Sequence, residues 1–215
     1  MKLYGFHRSG SSYRVRIVLN LKGLTYQSVP VSLPDGDQRS PMYLSRNPQG
    51  LVPLLETDEG DIIQSPAIME YLEERYPTPA LLPNGRLHRA RVRAMAALVG
   101  CDIHPLNNRR VLEYLRGPLR QPAPAVDAWA AEWINTGFAA LEAILASDER
   151  QSGFCFGSLP TLADAYLVPQ VYSARRFGID LGVYPRILEV VRKCEALPAF
   201  VQALPDHQLD ALRTT

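Results

Sequence analysis

The spacing of apolar residues changes character near residue 80. Before it, short apolar runs of strand type alternate with helical stretches; beyond it, every apolar stretch repeats at helical spacing. KLYGF (2–6) predicts a first strand. Val15, Ile17, Val18, Leu19 and Leu21 predict a helix from Ser11 or Ser12 to Lys22, with Gly23 as its stop. TYQSVPVSL (25–33), with its β-branched alternation, reads as a second strand. The turn-rich DGDQRSPMYLSRNPQG has room for one irregular helical turn. LVPLLET (51–57) and IIQ (62–64) form a hairpin about Glu59-Gly60. SPAIMEYLEERY (65–76) opens with Ser65 as N-cap and Pro66 at the first helical position.

PTPALLPNGR (77–86), with three prolines, reads as a linker. Past it the pattern predicts a long helix bent near Pro105, an amphipathic helix over 126–145, and a third over 161–178. That third helix opens on the box Thr161-x-x-Asp164 and closes at Gly178; two shorter helices follow Tyr184. The order β-α-β-(α)-β-β-α matches a thioredoxin-like module. The predicted fold is therefore α/β plus all-α: a thioredoxin-like domain over 1–80 and a helical bundle domain over 87–215.

Composition narrows the function more than the fold. At 215 residues, 47% hydrophobic and 21% charged, with a net charge of +1, the chain has no field to draw it to nucleic acid or an anionic membrane. No apolar stretch approaches the ~20 residues of a membrane span and no signal-peptide pattern opens the chain, so the expected location is cytoplasmic. Three scattered cysteines, Cys101, Cys155 and Cys194, and four unpaired histidines predict neither a disulfide framework nor a metal site.

FHRSGSSYRVR (6–16) places a glycine and three serines where the first strand hands over to the first helix. Helix N-termini stabilise anions there, and a redox enzyme of this fold would keep Cys-x-x-Cys at that place. Ser9-Gly10-Ser11-Ser12 holds no thiol, so it suits holding a thiolate that comes from elsewhere, or simply capping the helix. NPQGLVP (47–53) puts Val52-Pro53 at the strand start where such folds keep a cis-proline, or an ordinary trans one on an edge strand. Ser65, following Gln64, opens a helix whose N–H groups could meet a carboxylate.

As a set these motifs resemble the glutathione-binding site of the cytosolic glutathione transferases, over essentially the whole chain. RSGSSYRVRIVLNLKG, CDIHPLNNRR and LVPQVYSARRF are similar to segments of the zeta class, nearest its bacterial maleylpyruvate and maleylacetoacetate isomerases. The resemblance implies glutathione as cofactor, Ser9 as stabiliser of its thiolate, and Gln49, Val52, Pro53, Gln64 and Ser65 as its binding residues. His104 and Asn108 would contribute from the helical domain. Ser11 stands where the class carries a cysteine and is the second catalytic candidate of this turn, replacing that thiol in part.

The resemblance further implies a homodimer acting on a small dicarboxylate keto acid. Reversible thiolate addition would turn the cis double bond of maleylpyruvate or maleylacetoacetate into the fumaryl isomer. Arg8, Arg110 and Arg176 are the matching candidates for binding substrate carboxylates and stabilising developing negative charge. Of the neighbours Arg109-Arg110 and Arg175-Arg176 one member of each should face solvent, since adjacent helical residues point about 100° apart, and the resemblance selects Arg110 and Arg176. Arg14 and Arg16 are assigned structural ion pairs, and Tyr4 a place in the core. Two other readings use the same residues: a zeta-type transferase displacing halide from small α-haloacids, and a non-catalytic binding module of the same fold.

Overall fold

β1 (Lys2–Gly5) has a strand on each side: β2 (Gln27–Pro30) runs parallel to it and β3 (Leu54–Glu56) antiparallel, with β4 (Asp61–Ile63) antiparallel to β3. The computed structural model describes residues 1–148 and 152–211. The order β2-β1-β3-β4 places the apolar residues Leu3, Leu54 and Leu55 at the centre of the sheet, where they are all but fully buried.

Between the first two strands, α1 (Gly10–Leu21) packs against α3 (Ser65–Arg75). Its Val15, Ile17, Val18 and Leu19 have no exposed surface, each such side chain contributing about 1.5–3 kcal/mol by leaving water. The glycine at position 5 is needed for this packing. A Cβ there would lie 2.9 Å from the Ser12 hydroxyl, which fills the space behind the strand end. The irregular segment before β3 contains a 3₁₀ turn and the short α2 (Pro41–Leu44), capped by Ser40.

Several expectations change here. Tyr4 packs against the core cluster of Val31, Tyr43 and Leu54 but is only half-buried: its hydroxyl donates to Glu56 Oε2 at 2.9 Å and Arg46 stacks over its ring. Lys2 and Arg46 flank the same carboxylate, and these partners pull the Glu56 carboxyl down to about 2. Pro77–Arg86 is not a free tether either. Its start is fastened to the first unit by Lys22, which donates to the Tyr76 and Pro79 carbonyls, and by the Leu81 N–H, which donates to Glu73.

The regular elements of the second half are helices among its described residues. They comprise α4 (Arg86–Ala97), α5 (Arg109–Arg116), α6 (Ala123–Ser147), α7 (Leu162–Arg176) and α8 (Pro185–Glu195), followed by α9 (Pro198–Ala203). The long helix predicted to bend at Pro105 instead breaks: α4 gives way to a wide π-type segment, Leu98–Ile103, and a turn precedes α5. Gly137 of α6 makes room for that segment, since a Cβ there would fall 2.3 Å from Ile103. The box at Thr161 forms as read, with Asp164 accepting from both the Thr161 N–H and its hydroxyl at the start of α7. No helix among the described residues is long and apolar enough to cross a membrane.

The chain divides into two compact units, Met1–Leu81 together with the segment from Glu195 onward, and Leu82–Cys194. Helical periodicity alone places α9 with the second half. Hydrogen bonds from Arg16 Nε to the Ala203 carbonyl and from Asn20 to the Ala199 carbonyl attach it to α1 instead. Arg16 is thus structural as expected, with buried hydrogen bonds to the backbone carbonyls of His7 and Ala203.

Candidate functional site

The strand register gathers the candidate residues of the first unit. Tyr4 of β1 lies opposite Leu54 of β3, which lies opposite Ile63 of β4. Three connections therefore leave one end of the sheet: the turn after β1 bearing Arg8 and Ser9, which leads into Ser11 in the first turn of α1, the Val52-Pro53 approach to β3, and Gln64-Ser65 after β4. Residues separated by more than fifty positions become neighbouring loops because antiparallel pairing brings the end of one strand beside the beginning of the next.

At the first of these, Ser9 is the N-cap of α1, its hydroxyl oxygen accepting from the Ser12 N–H at 3.2 Å. Capping and sulfur binding are compatible here. The cap uses an oxygen lone pair and leaves the hydroxyl hydrogen to be donated. Ser12 is wholly buried against the strand end, so of the serine cluster it is the structural member. No acidic residue sits in the first turn of α1 or α3, and Arg8 is exposed beside Ser9. Neither helix start has its positive end offset by a carboxylate from its own first turn.

The Val52–Pro53 peptide is cis, and Leu54, not Val52, is the first residue of the β3 ladder. Among the described residues the Val52 N–H and C=O enter neither a strand ladder nor a turn hydrogen bond. The loop before it is built by Asn47, a residue the sequence did not single out. Asn47 accepts from the Gln49 N–H and donates to the Leu51 carbonyl, which also accepts from the Tyr43 hydroxyl. Burial pushes that phenol up to about 12, so it stays a donor at any working pH. The NP turn after a helix was the available signal for Asn47.

Gln49 and Gln64 meet directly, Gln64 Nε2 donating to Gln49 Oε1, and both remain exposed. Ser65 departs from its expected role. Helix α3 begins at Ser65 itself, with Gln64 as cap residue at φ +69 and no side-chain capping bond. A left-handed backbone at a non-glycine residue costs on the order of 1–3 kcal/mol and tends to mark a functional turn. Here it swings the chain from β4 into α3 and leaves the buried Ser65 at the helix mouth. Nothing in a Gln-Ser pair announces this.

The second unit holds the remaining candidates. Asn108 caps α5 by accepting from the Arg110 N–H at 3.2 Å. Arg109 is paired with Glu113 one turn on, while Arg110 has no side-chain partner recorded among the described residues, which favours Arg110 of the two. Both are exposed, so exposure does not separate them. His104 is half-buried at the end of the π-type segment, and Arg176 ends α7, exposed like its neighbour Arg175. Among the described residues no group of three or more His, Cys, Asp or Glu side chains could hold a metal ion.

Residues 3–80 match the family model of the glutathione S-transferase N-terminal domain. The maleylacetoacetate isomerase of Pseudomonas aeruginosa is 55% identical over 98% of this chain and 98% of its own. A holo structure of maleylpyruvate isomerase, a bacterial glutathione transferase of the zeta class, superposes with a TM-score of 0.96 at 54% identity, covering 98% of this chain and 99% of that one. The chain belongs to the zeta-class glutathione transferases. A second structure, the maleylacetoacetate isomerase of Methylobacterium extorquens AM1 with bound malonate and glutathione, has a TM-score of 0.94 at 37% identity over 98% of this chain and 99% of that one. In zeta-class terms the thioredoxin-like domain here supplies the residues Ser9, Gln49, Val52, Gln64 and Ser65 at one end of its sheet.

Proposed function

We propose that this protein is a glutathione-dependent cis–trans isomerase of a maleyl keto acid, maleylpyruvate or maleylacetoacetate. The observation that carries the reading is the row Tyr4–Leu54–Ile63, which sets the Ser9 hydroxyl, the unpaired Val52 backbone and the Gln64-Ser65 helix start at one sheet end. Glutathione, when bound, supplies the sulfur nucleophile that adds to the conjugated double bond and departs after rotation. Ser9 donates its hydroxyl hydrogen to that sulfur and favours the ionised form, aided by the positive end of α1. Val52 offers its N–H and C=O to the peptide of the tripeptide, and Gln49 and Gln64 bind its polar groups from one joined amide pair. Ser65 receives a carboxylate at the start of α3.

The substrate is a diacid, and Arg8, Arg110 and Arg176 are the cations assigned to its carboxylates. A guanidinium fork matches a carboxylate with two parallel hydrogen bonds. The bound malonate of the Methylobacterium relative, itself a small dicarboxylate, supports a site for such anions in this family. The protein acts as a homodimer in the cytoplasm on this reading.

The deciding measurement follows loss of the maleylpyruvate absorbance at several glutathione concentrations. Turnover of many substrate molecules per glutathione, with the thiol recovered unchanged, is the expected outcome. Stoichiometric consumption of glutathione, or equal rates without it, overturns the isomerase reading. Within the same assay, Arg176→Ala should raise KM for the keto diacid by about ten- to a hundredfold. That is the equivalent of losing one charge-assisted hydrogen bond of about 1.5–3 kcal/mol. An unchanged KM removes Arg176 from the site.

A further inference from the structure

Two charged side chains hold the Ser9 turn from behind. Asp210 Oδ2 accepts from the His7 backbone N–H at 2.8 Å and lies 3.1 Å from His7 Nδ1. Arg16, 2% exposed, donates from Nη2 to the His7 carbonyl at 2.9 Å and from Nε to the Ala203 carbonyl at 3.0 Å. Both backbone groups of His7 are thus bound by charged partners, two residues ahead of Ser9, whose own N–H donates to the Phe6 carbonyl at 3.0 Å.

The turn has no strand or helix ladder of its own to fix it between Gly5 and Gly10. Charge-assisted hydrogen bonds in a water-poor setting are the firmest substitute for a ladder. Asp210 is not needed to attach the last segment to α1, because Arg16 and Asn20 already do so through α9. Asp210 grips His7 through both its backbone N–H and its imidazole, and so bears on the direction of the chain entering Ser9.

We propose that Asp210 is a positioning residue for catalysis, fixing the His7 N–H so that the Ser9 hydroxyl points at the glutathione sulfur. The proposal rests on Ser9 being the donor to that sulfur. Stabilisation of a developing or bound anion depends on a donor held at hydrogen-bond distance before the reaction, and misplacement by about 1 Å can cost about a hundredfold in rate. A carboxylate that arrives from the far end of the chain also makes the competence of the site depend on docking of that segment.

The test compares Asp210→Ala and Asp210→Asn in the full-length protein with three readouts. These are amide hydrogen exchange at residues 6–9 without ligand, ultraviolet titration of the bound glutathione thiol, and kcat with KM. Asp210→Ala is expected to speed exchange of the His7 and Ser9 amides, and to move the thiol titration up by about one pH unit. It should lower kcat at neutral pH about tenfold, one pH unit being a tenfold change in thiolate ratio, with KM for glutathione changed less than about threefold. Asp210→Asn keeps an oxygen for the His7 N–H and should recover most of the loss. An alanine variant that titrates and turns over like the parent overturns the proposal, whatever its exchange. So does an asparagine variant as impaired as alanine, which would place the effect in the imidazole contact. A parent that forms no thiolate with glutathione overturns the Ser9 assignment itself, and is told apart because then no variant is needed to see it.

Discussion

Ser9→Ala is expected to lower kcat by about 10²- to 10³-fold at neutral pH, the usual effect of deleting one preorganised donor to an anion in an active site. The Ser9 oxygen caps α1 by accepting from Ser12, and its hydrogen is what the sulfur would receive. Alanine loses both. The thiol of bound glutathione then titrates at higher pH, so activity should climb back as the solution is made alkaline, while KM for glutathione rises by much less than kcat falls. Loss of the cap alone costs about 1 kcal/mol of stability and does not alter the titration. Ser9→Asp separates the two roles: it keeps the cap, holds the melting temperature near that of the parent, and adds a negative charge beside the sulfur. It should be at least as inactive as alanine. Full activity of Ser9→Ala at neutral pH would pass the role to Ser11 or to backbone donors of α1.

Glu73→Ala should be the most destabilising single change in the first unit, by about 3–5 kcal/mol, the scale for stranding one partner of a buried ion pair. Lys22, 6% exposed, donates at once to Glu73 Oε2 at 2.8 Å and to the carbonyls of Tyr76 and Pro79 at 2.7 and 3.0 Å. Glu73 in turn accepts from the Leu81 N–H at 3.0 Å. Removing its carboxylate leaves a buried ammonium without a counter-charge and an orphaned backbone donor. For a protein of this size the melting temperature should fall on the order of 10 °C. Thermal unfolding checks it, and Lys22→Met with Glu73→Gln together should lose less than Glu73→Ala alone, because no buried charge remains. A Glu73→Ala protein melting within a degree or two of the parent would remove the ion pair from the account of the fold.

Much of this protein could be read along the chain. Elements with strong local punctuation were legible: Gly23 after α1, the Glu59-Gly60 turn and the Thr161-x-x-Asp164 box each carry the backbone chemistry that ends or begins an element. The glutathione-binding candidates were legible because the thiol-free Ser9-Gly10-Ser11-Ser12, the Val52-Pro53 pair and Gln64-Ser65 follow one another in a known order. Roles that depend on what lies across the fold were not. Tyr4 packs on the core as its alternation suggests, yet Glu56 of the neighbouring strand and Arg46 also engage its hydroxyl and ring. Ser65 has the composition of a cap, but the left-handed Gln64 moves the helix start by one residue. Asp210 stands near the other end of the chain from His7, and no local pattern joins them.

The sequence by itself determined the element order, the change from mixed to all-helical structure, and the absence of a thiol at the turn after β1. Those properties reside in side-chain periodicity and in backbone preferences that act within a few residues. Tertiary structure alone decided the row Tyr4–Leu54–Ile63, the joining of Gln49 to Gln64, and the attachment of α9 and Asp210 to α1 and the Ser9 turn. Those are contacts between residues 9 to more than 200 positions apart. Their energy depends on register, burial and distance, quantities that exist only once the chain has closed on itself.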